Sequence, residues 1–466
     1  MEFKKISSQS LIEQIIIYNE NNIVNSKGLT MIMAKKARKL LEMQQLFDEN
    51  EIDLTLFDDE EVVKQLMEKI SSVNDNRHES YIRHKLIDII MLTLFAVLSN
   101  ANEWAEIEEF GKAKEQWLRK FLELPFGIPS DDTIRIVISN LDSRYFYTLV
   151  IEFLMEKVNE ILKSFNRFEY SMETASVEDK EILSVDGKTS CGSKRNDTDV
   201  KGAKALHTLN VYSSNYGMCT GQVFVDEKSN EIPAMINLLK IIDVKDAVVT
   251  WDALNTQKDT VAAVIKNKGD YVGALKGNQH NFYKDVKLYF DEDVLRKLRT
   301  DLLKYKKTKE KEHSAIIERE YFLTDDIKWL YNKEKWDGLK SIGLERKTIN
   351  KKNGDIVVED RYFICSIIDI ELFARAVREH WGVENGLHWH LDYTFKDDKN
   401  TTMDKNGARN LQLMKKIALS ILKTVQTLYK VSLKRIRYKL SLNFENEIER
   451  IFKILNTHDI KSFLTK

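Results

Sequence analysis

The sequence predicts an α/β fold with a mixed sheet and flanking helices, preceded by an all-helical region. Between residues 182 and 225, three short apolar segments with strand character are separated by turn signals. From there to residue 290, helical and strand patterns alternate. The resulting order, β-β-β-α-β-α-β-α, places three antiparallel strands before a series of crossovers, which is the layout of a ribonuclease-H-like sheet. In that layout the first and fourth strands lie side by side.

Each element of this region has a separate signal. The strands are predicted at residues 182–186, 206–212, 218–225, 247–251 and 271–275, and the helices at residues 231–242, 256–266 and 279–290. Residues 293–366 break the alternation and are predicted to be a β-rich insertion. Its two clearest strands, 341–350 and 356–366, flank Asn353-Gly354, a dipeptide typical of a tight hairpin turn.

Helical patterns precede and follow the α/β region. Residues 1–75 are charged and are predicted to be a helical N-terminal extension, and residues 76–170 an all-helical domain. Within that domain Ser130 follows two prolines and is predicted to be a helix N-cap. The α/β domain is predicted to span residues 171–430, and a basic helical tail residues 431–466.

Composition is typical of a globular protein of a reducing compartment. The chain has 466 residues, 43% of them hydrophobic, and 3 Pro, which suits several domains rich in regular structure. Cys191, Cys219 and Cys365 are widely spaced and odd in number, which argues against a disulfide framework and favours the cytoplasm. The longest apolar stretch, Leu86–Leu98, is too short to span a membrane, and the N-terminus lacks a cleavable signal pattern.

One segment departs from the even balance of charge. The net charge is −1, yet no acidic residue lies between Asp404 and Glu445. The basic residues of this interval are Lys405, Arg409, Lys415, Lys416, Lys423, Lys430, Lys434, Arg435, Arg437 and Lys439. Such a run is typical of a surface that neutralises phosphates, and a solvated helix face explains it equally well.

Three acidic residues carry the most specific chemical prediction. Asp186 ends the first predicted strand, Asp252 ends the fourth, and Glu384 begins a helical stretch in His380-Trp381-Gly382-Val383-Glu384-Asn385. Because the first and fourth strands are predicted neighbours, Asp186 and Asp252 should meet. Converging carboxylates repel one another, and hard ions such as Mg²⁺ or Mn²⁺ relieve that repulsion. Two such ions about 4 Å apart stabilise both the attacking and the leaving oxygen of phosphoryl transfer.

The alternative is that these strand-end aspartates are turn formers or helix caps. Further residues near the acids are open to similar pairs of interpretations. Lys188 and Lys276 follow strand ends, where they would contact phosphates or remain solvated. His388, four positions after Glu384, is predicted to face the site, whereas His390 lies on another side of the helix.

Aromatic and acidic residues complete the candidates. Three tryptophans would either stack on an unpaired base or belong to the core, namely Trp251, Trp381 and Trp389. Asp392, eight positions after Glu384, is a reserve acid ligand. The polar loop Gly187–Lys204 either contacts DNA or is disordered.

Short motifs follow one another in fixed order over about residues 80–425. In the α/β region they are Ser184-Val185-Asp186-Gly187-Lys188-Thr189, Lys228-Ser229-Asn230-Glu231-Ile232, Thr250-Trp251-Asp252-Ala253, Leu275-Lys276-Gly277-Asn278-Gln279 and the run around Glu384 followed by Leu387-His388-Trp389. In the helical region they are Trp104-Ala105-Glu106-Ile107-Glu108-Glu109-Phe110-Gly111 and Gly127-Ile128-Pro129-Ser130. With these motifs the chain resembles DDE transposases of bacterial insertion sequences, and most closely the H-repeat-associated branch.

The resemblance implies a ribonuclease-H-like catalytic core in which Asp186, Asp252 and Glu384 hold two Mg²⁺ or Mn²⁺ ions. The implied substrate is double-stranded DNA, both the ends of the element and the target. The enzyme would recognise terminal inverted repeats, cut the end to a 3′-hydroxyl and join it to target DNA, as a homodimer on two ends. The predicted DNA contacts are Lys188, Lys276, His388, Lys434, Arg435 and Arg437.

The sequence around Glu384 departs from that of related enzymes, so the roles of the residues around their glutamate cannot be assigned here. Their Tyr, Arg, Glu and Lys signature around the glutamate is represented here by Val377, His380, Glu384 and Leu391. Two other functions stay open: a metal-dependent nuclease that cuts without joining, and a DNA-binding relic of a transposase. The helical domain is either a DNA-end-binding module or a packing unit. The intact set of three acids argues against the relic, since a relic is free to lose them.

Overall fold

The computed structural model describes residues 60–166, 180–190, 205–225, 231–312, 315–352, 354–402, 404–429 and 431–455. The predictions for residues 1–59, for most of the polar loop after β1 (191–204) and for the last residues (456–466) lie outside the described residues. Within the described residues, no helix has both the length and the apolar character needed to cross a membrane. Cys219 and Cys365 are buried free thiols.

Helices form the first part of the described chain. They are α1 (Glu60–Ser71), α2 (Leu86–Leu98), α3 (Trp104–Leu118), α4 (Asp131–Ser139) and α5 (Ser143–Asn166). As predicted, Ser130 caps α4, because its hydroxyl oxygen accepts a hydrogen bond from the backbone N–H of Thr133 at 3.3 Å.

Strands and helices then alternate as the sequence predicts. The first group is β1 (Ile182–Ser190), β2 (Leu206–Ser213), β3 (Met218–Val225), α6 (Glu231–Ile241), β4 (Val248–Trp251), α7 (Lys258–Lys266), β5 (Asp270–Leu275), α8 (His280–Tyr289) and α9 (Glu292–Leu298). The remainder is β6 (Tyr305–Glu312), β7 (Ala315–Thr324), β8 (Ser341–Asn350), β9 (Ile356–Cys365), α10 (Ile370–His380), α11 (Lys405–Tyr429), α12 (Leu433–Leu442) and α13 (Phe444–Leu455).

The described strands form one mixed sheet in the order β3-β2-β1-β4-β5-β9-β8-β7-β6. β1 pairs antiparallel with β2 and parallel with β4, which confirms that the first and fourth strands are neighbours. β1 is longer than predicted. It continues past Asp186 to Ser190 because β2 keeps pairing with it, up to Ser190 opposite Leu206. Asp186 therefore lies where β4 ends and not where β1 ends.

The insertion extends this sheet and does not form a separate unit. β9 pairs antiparallel with β5, and β8, β7 and β6 follow outward. The predicted β8–β9 hairpin is present, and Gly354 adopts a φ of 89°, which is the left-handed conformation that the turn requires. β6 and β7 were not predicted, because Lys and Glu alternate in β6 and mask its strand character.

The two faces of the sheet pack against different helices. Leu183, Val185 and Val249 belong to an apolar core with α6, α7, α8 and α9. Ile182 and Val248 point the other way and pack with α10. This second face carries the candidate site.

The helices from both ends of the chain share one apolar core. It contains buried residues of α1 to α5 together with residues of α11, α12 and α13. Phe444 at the start of α13 illustrates the contact, since its ring lies 5.0 Å from that of Trp117 and 6.1 Å from that of Phe95. The residues predicted as an extension, a helical domain and a tail thus pack together in the part of the chain that the structure describes.

Candidate active site

Asp186 and Asp252 occupy equivalent positions on neighbouring parallel strands. Val185 and Trp251 are the last residues paired between β1 and β4. Asp186 and Asp252 are the residues that directly follow them. Ser184 and Thr250 lie two positions earlier, and their hydroxyls are 3.3 Å apart on the second face of the sheet. Because side chains alternate along a strand, this geometry directs the two aspartates to that same face.

The turn after β4 fixes the Asp252 carboxylate. Its Oδ1 accepts hydrogen bonds from the backbone N–H of Asn255 at 3.3 Å and from the Asn255 side-chain amide at 3.2 Å. The Asn278 amide donates to the carbonyl of Ala253 at 2.5 Å. The capping interpretation therefore applies to Asp252, and the Leu275-Lys276-Gly277-Asn278-Gln279 motif holds the capped turn in place.

Glu384 reaches this face from a π-helical segment, residues 384–394, that follows α10. α10 is tied to the sheet, because the His380 ring hydrogen-bonds the Thr250 hydroxyl at 2.9 Å and the Ser184 hydroxyl donates to the carbonyl of Glu379 at 3.3 Å. π-helical turns are uncommon and occur frequently at functional sites. The Glu384 side chain is exposed.

Burial and neighbouring negative charges raise the pKa values of two of the three acids. Burial raises the pKa of Asp186 to about 7, and the negative charges of Asp252, Glu384 and Glu231 add to the rise. Burial also raises the pKa of Asp252, with Glu231 as the next cause. Asp186 and Asp252 thus resist ionisation in this environment, which is the condition that a bound cation relieves.

The donor set suits a hard divalent ion that is completed by substrate. Its oxygens and excess negative charge match Mg²⁺ or Mn²⁺. Within the described residues, no three His, Cys, Asp or Glu side chains are placed to hold a single metal ion. Mg²⁺ is commonly bound through one or two protein carboxylates, with water and substrate phosphates as the other ligands, so this open arrangement fits it better than it fits a structural metal.

His388 lies beside the acids, as predicted. Its Nδ1 is 3.5 Å from Asp186 Oδ2, and its Nε2 is 3.2 Å from the side-chain amide nitrogen of Asn210. Burial and the nearby Lys188 and Lys416 lower the pKa of His388 to about 3, so the ring is neutral. With the Asn210 amide donating to Nε2, the ring hydrogen sits on Nδ1, the nitrogen that lies nearer to Asp186.

Lys188 is buried and engaged by acidic residues. Its ammonium group hydrogen-bonds Asp392 and lies 3.6 Å from Asp398, and only 5% of its side chain is exposed. This ion pair joins β1 to the end of the π-helical segment. It also engages the carboxylate of Asp392, the alternative to Glu384 as the third acid. Lys276, in contrast, is exposed after β5, so its predicted DNA contact stays a prediction.

Two glycines four residues apart let the π-helical segment approach the sheet closely. A Cβ at Gly386 would lie 2.6 Å from the Tyr212 hydroxyl and 2.8 Å from the Lys423 ammonium group. A Cβ at Gly382 would lie 3.1 Å from the Tyr212 ring. Because Tyr212 and Lys423 are hydrogen-bonded to each other at 2.6 Å, they have little room to retreat.

Gly386→Ala is therefore expected to destabilise the protein by about 1–3 kcal/mol, the usual range for overpacking. Thermal unfolding should show a lower Tm than that of the wild type. Gly277→Ala is the matched control, since a Cβ there meets nothing within 4 Å. Equal Tm values for the two variants would show that the close approach at Gly386 is not a constraint.

The basic stretch between Asp404 and Glu445 is only partly a surface. Lys415, Lys416 and Arg437 are buried. The Arg437 guanidinium donates to the backbone carbonyl of Val97 at 2.8 Å and to that of Thr394. The prediction that Arg437 contacts DNA is therefore wrong, because its donors tie α12 to α2 and to the end of the π-helical segment.

Exposed basic and aromatic groups lie together on the solvent-exposed side of the π-helical segment. Trp389 and Tyr393 are 50% and 52% exposed, and their rings are stacked at 4.7 Å. The Lys434 ammonium group hydrogen-bonds the Tyr393 hydroxyl at 2.9 Å, and Arg435 beside it is exposed. We call these four residues the aromatic–basic surface.

The other two tryptophans have different environments. Trp251 is buried at 1% exposure, which confirms its assignment to the core. Trp381 carries the Arg361 guanidinium over its ring at 4.7 Å. His390 hydrogen-bonds Thr394 at 3.2 Å and is not among the contacts of Asp186 that the structure gives, in agreement with the prediction that it lies on another side of the helix.

One buried acid near the site was missed by the sequence predictions. Glu231 is 4% exposed, opens α6 and raises the pKa of both Asp186 and Asp252. Its only sequence signal is its place in Lys228-Ser229-Asn230-Glu231-Ile232. An acidic residue in the first turn of a helix is an ordinary helix-start signal, so this position alone does not indicate a site.

Comparison with known proteins identifies the class to which this fold and site belong. The family profile "Transposase DDE domain" matches residues 178–421, and the profile "DDE_Tnp_1-associated" matches residues 67–154. The chain belongs to the family of DDE transposases.

Curated relatives place it within that family. It is 34% identical over 387 residues to "Putative transposase YncI" of Escherichia coli O157:H7, covering 82% of this chain and 93% of the relative. It is 32% identical over 387 residues to "H repeat-associated putative transposase YhhI" of E. coli K12, covering 82% of this chain and 96% of the relative. These matches fit a bacterial insertion-sequence transposase of the H-repeat-associated branch.

A solved structure gives a more distant match. The synaptic complex of the piggyBac transposase with hairpin DNA matches with a TM-score of 0.32 and 13% identity, over 92% of this chain and 82% of that chain. A likeness this low does not bear on the fold, which rests on the strand order and register given above.

Proposed function

We propose that this protein is a transposase that binds the terminal inverted repeats of its insertion sequence, cuts the DNA strand with the help of divalent metal ions, and joins the new 3′ end to target DNA. The observation that carries the proposal is geometric: Asp186 and Asp252 are neighbours at the end of the β1–β4 pairing, and α10, which leads directly to Glu384, is hydrogen-bonded to that same face of the sheet. Family membership supplies the substrate class. The core is a ribonuclease-H-like sheet in this proposal, and the enzyme acts in the cytoplasm.

Asp186, Asp252 and Glu384 are the residues that would hold the ions. Two bound ions would stabilise the attacking and the leaving oxygen during phosphoryl transfer. His388, whose Nδ1 lies 3.5 Å from Asp186 Oδ2, would help to orient that carboxylate. The nucleophile is water in cleavage and the DNA 3′-hydroxyl in joining, so the reaction requires no covalent bond between protein and DNA.

The aromatic–basic surface is the proposed DNA contact next to this site. The backbone N–H of Trp389 donates to the carbonyl of Glu384, so the exposed ring is one π-helical turn from the acid. Lys434 and Arg435 supply the positive charge that phosphates require, and a flat exposed ring accommodates a base of any sequence. DNA bound here would run past Glu384.

Replacing Lys434 and Arg435 by Ala together is expected to weaken binding similarly for terminal-repeat and random duplexes. The slope of log K against log salt should become shallower by about one for each phosphate that the variant no longer neutralises. The measurement is fluorescence anisotropy of a labelled duplex at several salt concentrations.

Lys284→Ala with Lys287→Ala is the matched control, because both lysines are exposed on α8, which packs against the opposite face of the sheet. The control pair should leave the affinity and the salt slope near wild-type values. Unchanged affinity and slope in the Lys434 and Arg435 variant would return these residues to the role of a solvated helix face.

Two alternatives remain distinguishable from a transposase by experiment. A metal-dependent nuclease would cut terminal duplexes and would form no joined product, and a non-catalytic relic would bind DNA without cutting it.

Because the two ends of an element must be processed together, the proposal includes a homodimer on paired ends. Light scattering with and without a terminal duplex measures this, and a complex containing one protein chain on two ends would contradict it.

A further inference from the structure

We propose that Glu231 is a positioning residue for the reaction, and that it acts through Asn255 to fix the orientation of the Asp252 carboxylate. This inference rests on the proposed function of Asp252 as a metal ligand. It adds a fourth acid, the buried Glu231, to the site and gives it a role different from the other three.

The contacts form a continuous chain from Glu231 to Asp252. Glu231 Oε1 accepts a hydrogen bond from the Asn255 side-chain amide at 2.9 Å. The same amide nitrogen donates to Asp252 Oδ1 at 3.2 Å. Asn255 is fully buried and Glu231 is 4% exposed, so the bridge is shielded from water. An amide nitrogen has two hydrogens, and here the two carboxylates receive them.

A second contact holds the other oxygen of Glu231. Its Oε2 lies 3.1 Å from His207 Nε2, and His207 Nδ1 lies 2.8 Å from the Thr189 hydroxyl. His207 is 3% exposed and belongs to β2. Glu231 is therefore anchored on one side to the sheet and on the other to the turn that carries Asp252.

The backbone beside Asp186 closes the arrangement. A Cβ at Gly187 would lie 3.1 Å from Glu231 Oε2 and 3.0 Å from the His207 ring. β1 thus passes directly against the Glu231 carboxylate at the residue after Asp186. Glu231 therefore lies against the strand that carries Asp186 and is hydrogen-bonded to the turn that follows Asp252.

These contacts distinguish positioning from metal binding. Both oxygens of the buried Glu231 have hydrogen-bond partners within the protein. Asp186 and Asp252 are half-buried and Glu384 is exposed, so those three carboxylates are accessible to an ion whereas Glu231 is not. Outer residues that orient ligating carboxylates commonly contribute about 10- to 100-fold to metal affinity or activity. The geometry assigns Glu231 to that role.

The experiment compares Glu231→Ala, Glu231→Gln and Glu231→Asp in the full-length protein. Glu231→Ala removes the acceptor for Asn255 and is expected to lower the rate of DNA cleavage and the affinity for Mn²⁺ by about 10- to 100-fold. Glu231→Gln keeps an acceptor oxygen at the same distance along the side chain, so it should recover both values to within about fivefold of wild type. Calorimetry with Mn²⁺ alone measures the affinity without relying on activity.

A double-mutant cycle with Asn255→Ala tests the route. Because Glu231 is proposed to act through Asn255, the double variant should be no worse than the worse single variant. Glu345→Ala is the matched control, since Glu345 is buried to a similar extent (3% exposed) but pairs with Arg319 in the insertion. It should lower Tm without changing Mn²⁺ affinity.

The outcomes separate this inference from the proposed function. A wild-type protein that binds no Mn²⁺ and cuts no DNA would refute the proposed function and this inference with it. Wild-type cleavage together with normal Mn²⁺ affinity and cleavage in Glu231→Ala would overturn only the positioning role. If Glu231→Gln were as impaired as Glu231→Ala while Glu231→Asp stayed active, the charge would be the requirement, and Glu231 would be a ligand and not a positioning residue.

Discussion

Asp186→Asn, Asp252→Asn and Glu384→Gln are each expected to reduce Mg²⁺-dependent DNA cleavage by at least about a thousandfold. The reason is that each change removes one of the three carboxylates proposed to hold the metal ions, and a thousandfold loss corresponds to about 4 kcal/mol of transition-state stabilisation. The measurement is the single-turnover rate on a labelled terminal duplex. Binding of the duplex should remain near the wild-type level, because the proposed phosphate contacts, Lys434 and Arg435, are not changed.

Asp392→Asn is the control for this series. Asp392 is hydrogen-bonded to Lys188, so it is expected to contribute to packing and to leave most of the cleavage rate intact. If Asp392→Asn were inactive while Glu384→Gln cut DNA normally, Asp392 and not Glu384 would be the third acid. Full activity in any of the three main variants would remove that residue from the site.

The second large effect concerns stability in the absence of metal. The pKa of Asp186 is raised from 3.8 to about 7, so the folded state holds this proton more tightly than the unfolded chain does. The ionised carboxylate therefore opposes folding, and this penalty develops as the pH rises from about 4 to about 7. Asp186→Asn cannot ionise, so at pH 8 the metal-free variant should be more stable than the wild type by about 4 kcal/mol.

Urea unfolding between pH 4 and pH 8 measures this difference, which should become small near pH 4, because the folded-state carboxyl is then protonated and only the unfolded-state carboxyl is partly ionised. Added Mn²⁺ should stabilise the wild type and not Asp186→Asn, since a ligand stabilises only the state that binds it. Asp259→Asn, at an exposed position of α7, is the control for the substitution itself. A variant less stable than the wild type at pH 8 would show that burial and the neighbouring acids do not raise the pKa of Asp186.

Much of the central sheet could be predicted because its signals are local. Strands β2 to β5 and helices α6 to α8 have apolar patterns of the right period, and their predicted bounds differ from the observed ones by two residues at most. The pairing of β1 with β4 followed from the order of elements. That pairing in turn brought together two aspartates far apart in the sequence.

Other features depend on tertiary contacts and leave little trace in the sequence. β6 is stabilised by its pairing with β7, and its Lys and Glu residues are typical of an exposed edge strand. Arg437 has the sequence appearance of a surface cation, yet its guanidinium is buried under backbone carbonyls. The role proposed for Glu231 depends on two contacts that are remote in sequence: His207 in β2 and Asn255 in the turn after β4.

Strand transfer with a pre-cut end tests the central claim most directly. A terminal duplex that already carries a 3′-hydroxyl is incubated with target DNA, Mg²⁺ and the wild-type protein, in parallel with the same duplex ending in a 3′-deoxy sugar. We expect a joined product only with the 3′-hydroxyl, and none from Asp186→Asn, Asp252→Asn or Glu384→Gln. Efficient cutting of an uncut terminal duplex with no joined product from the pre-cut one would contradict a transposase and establish a nuclease.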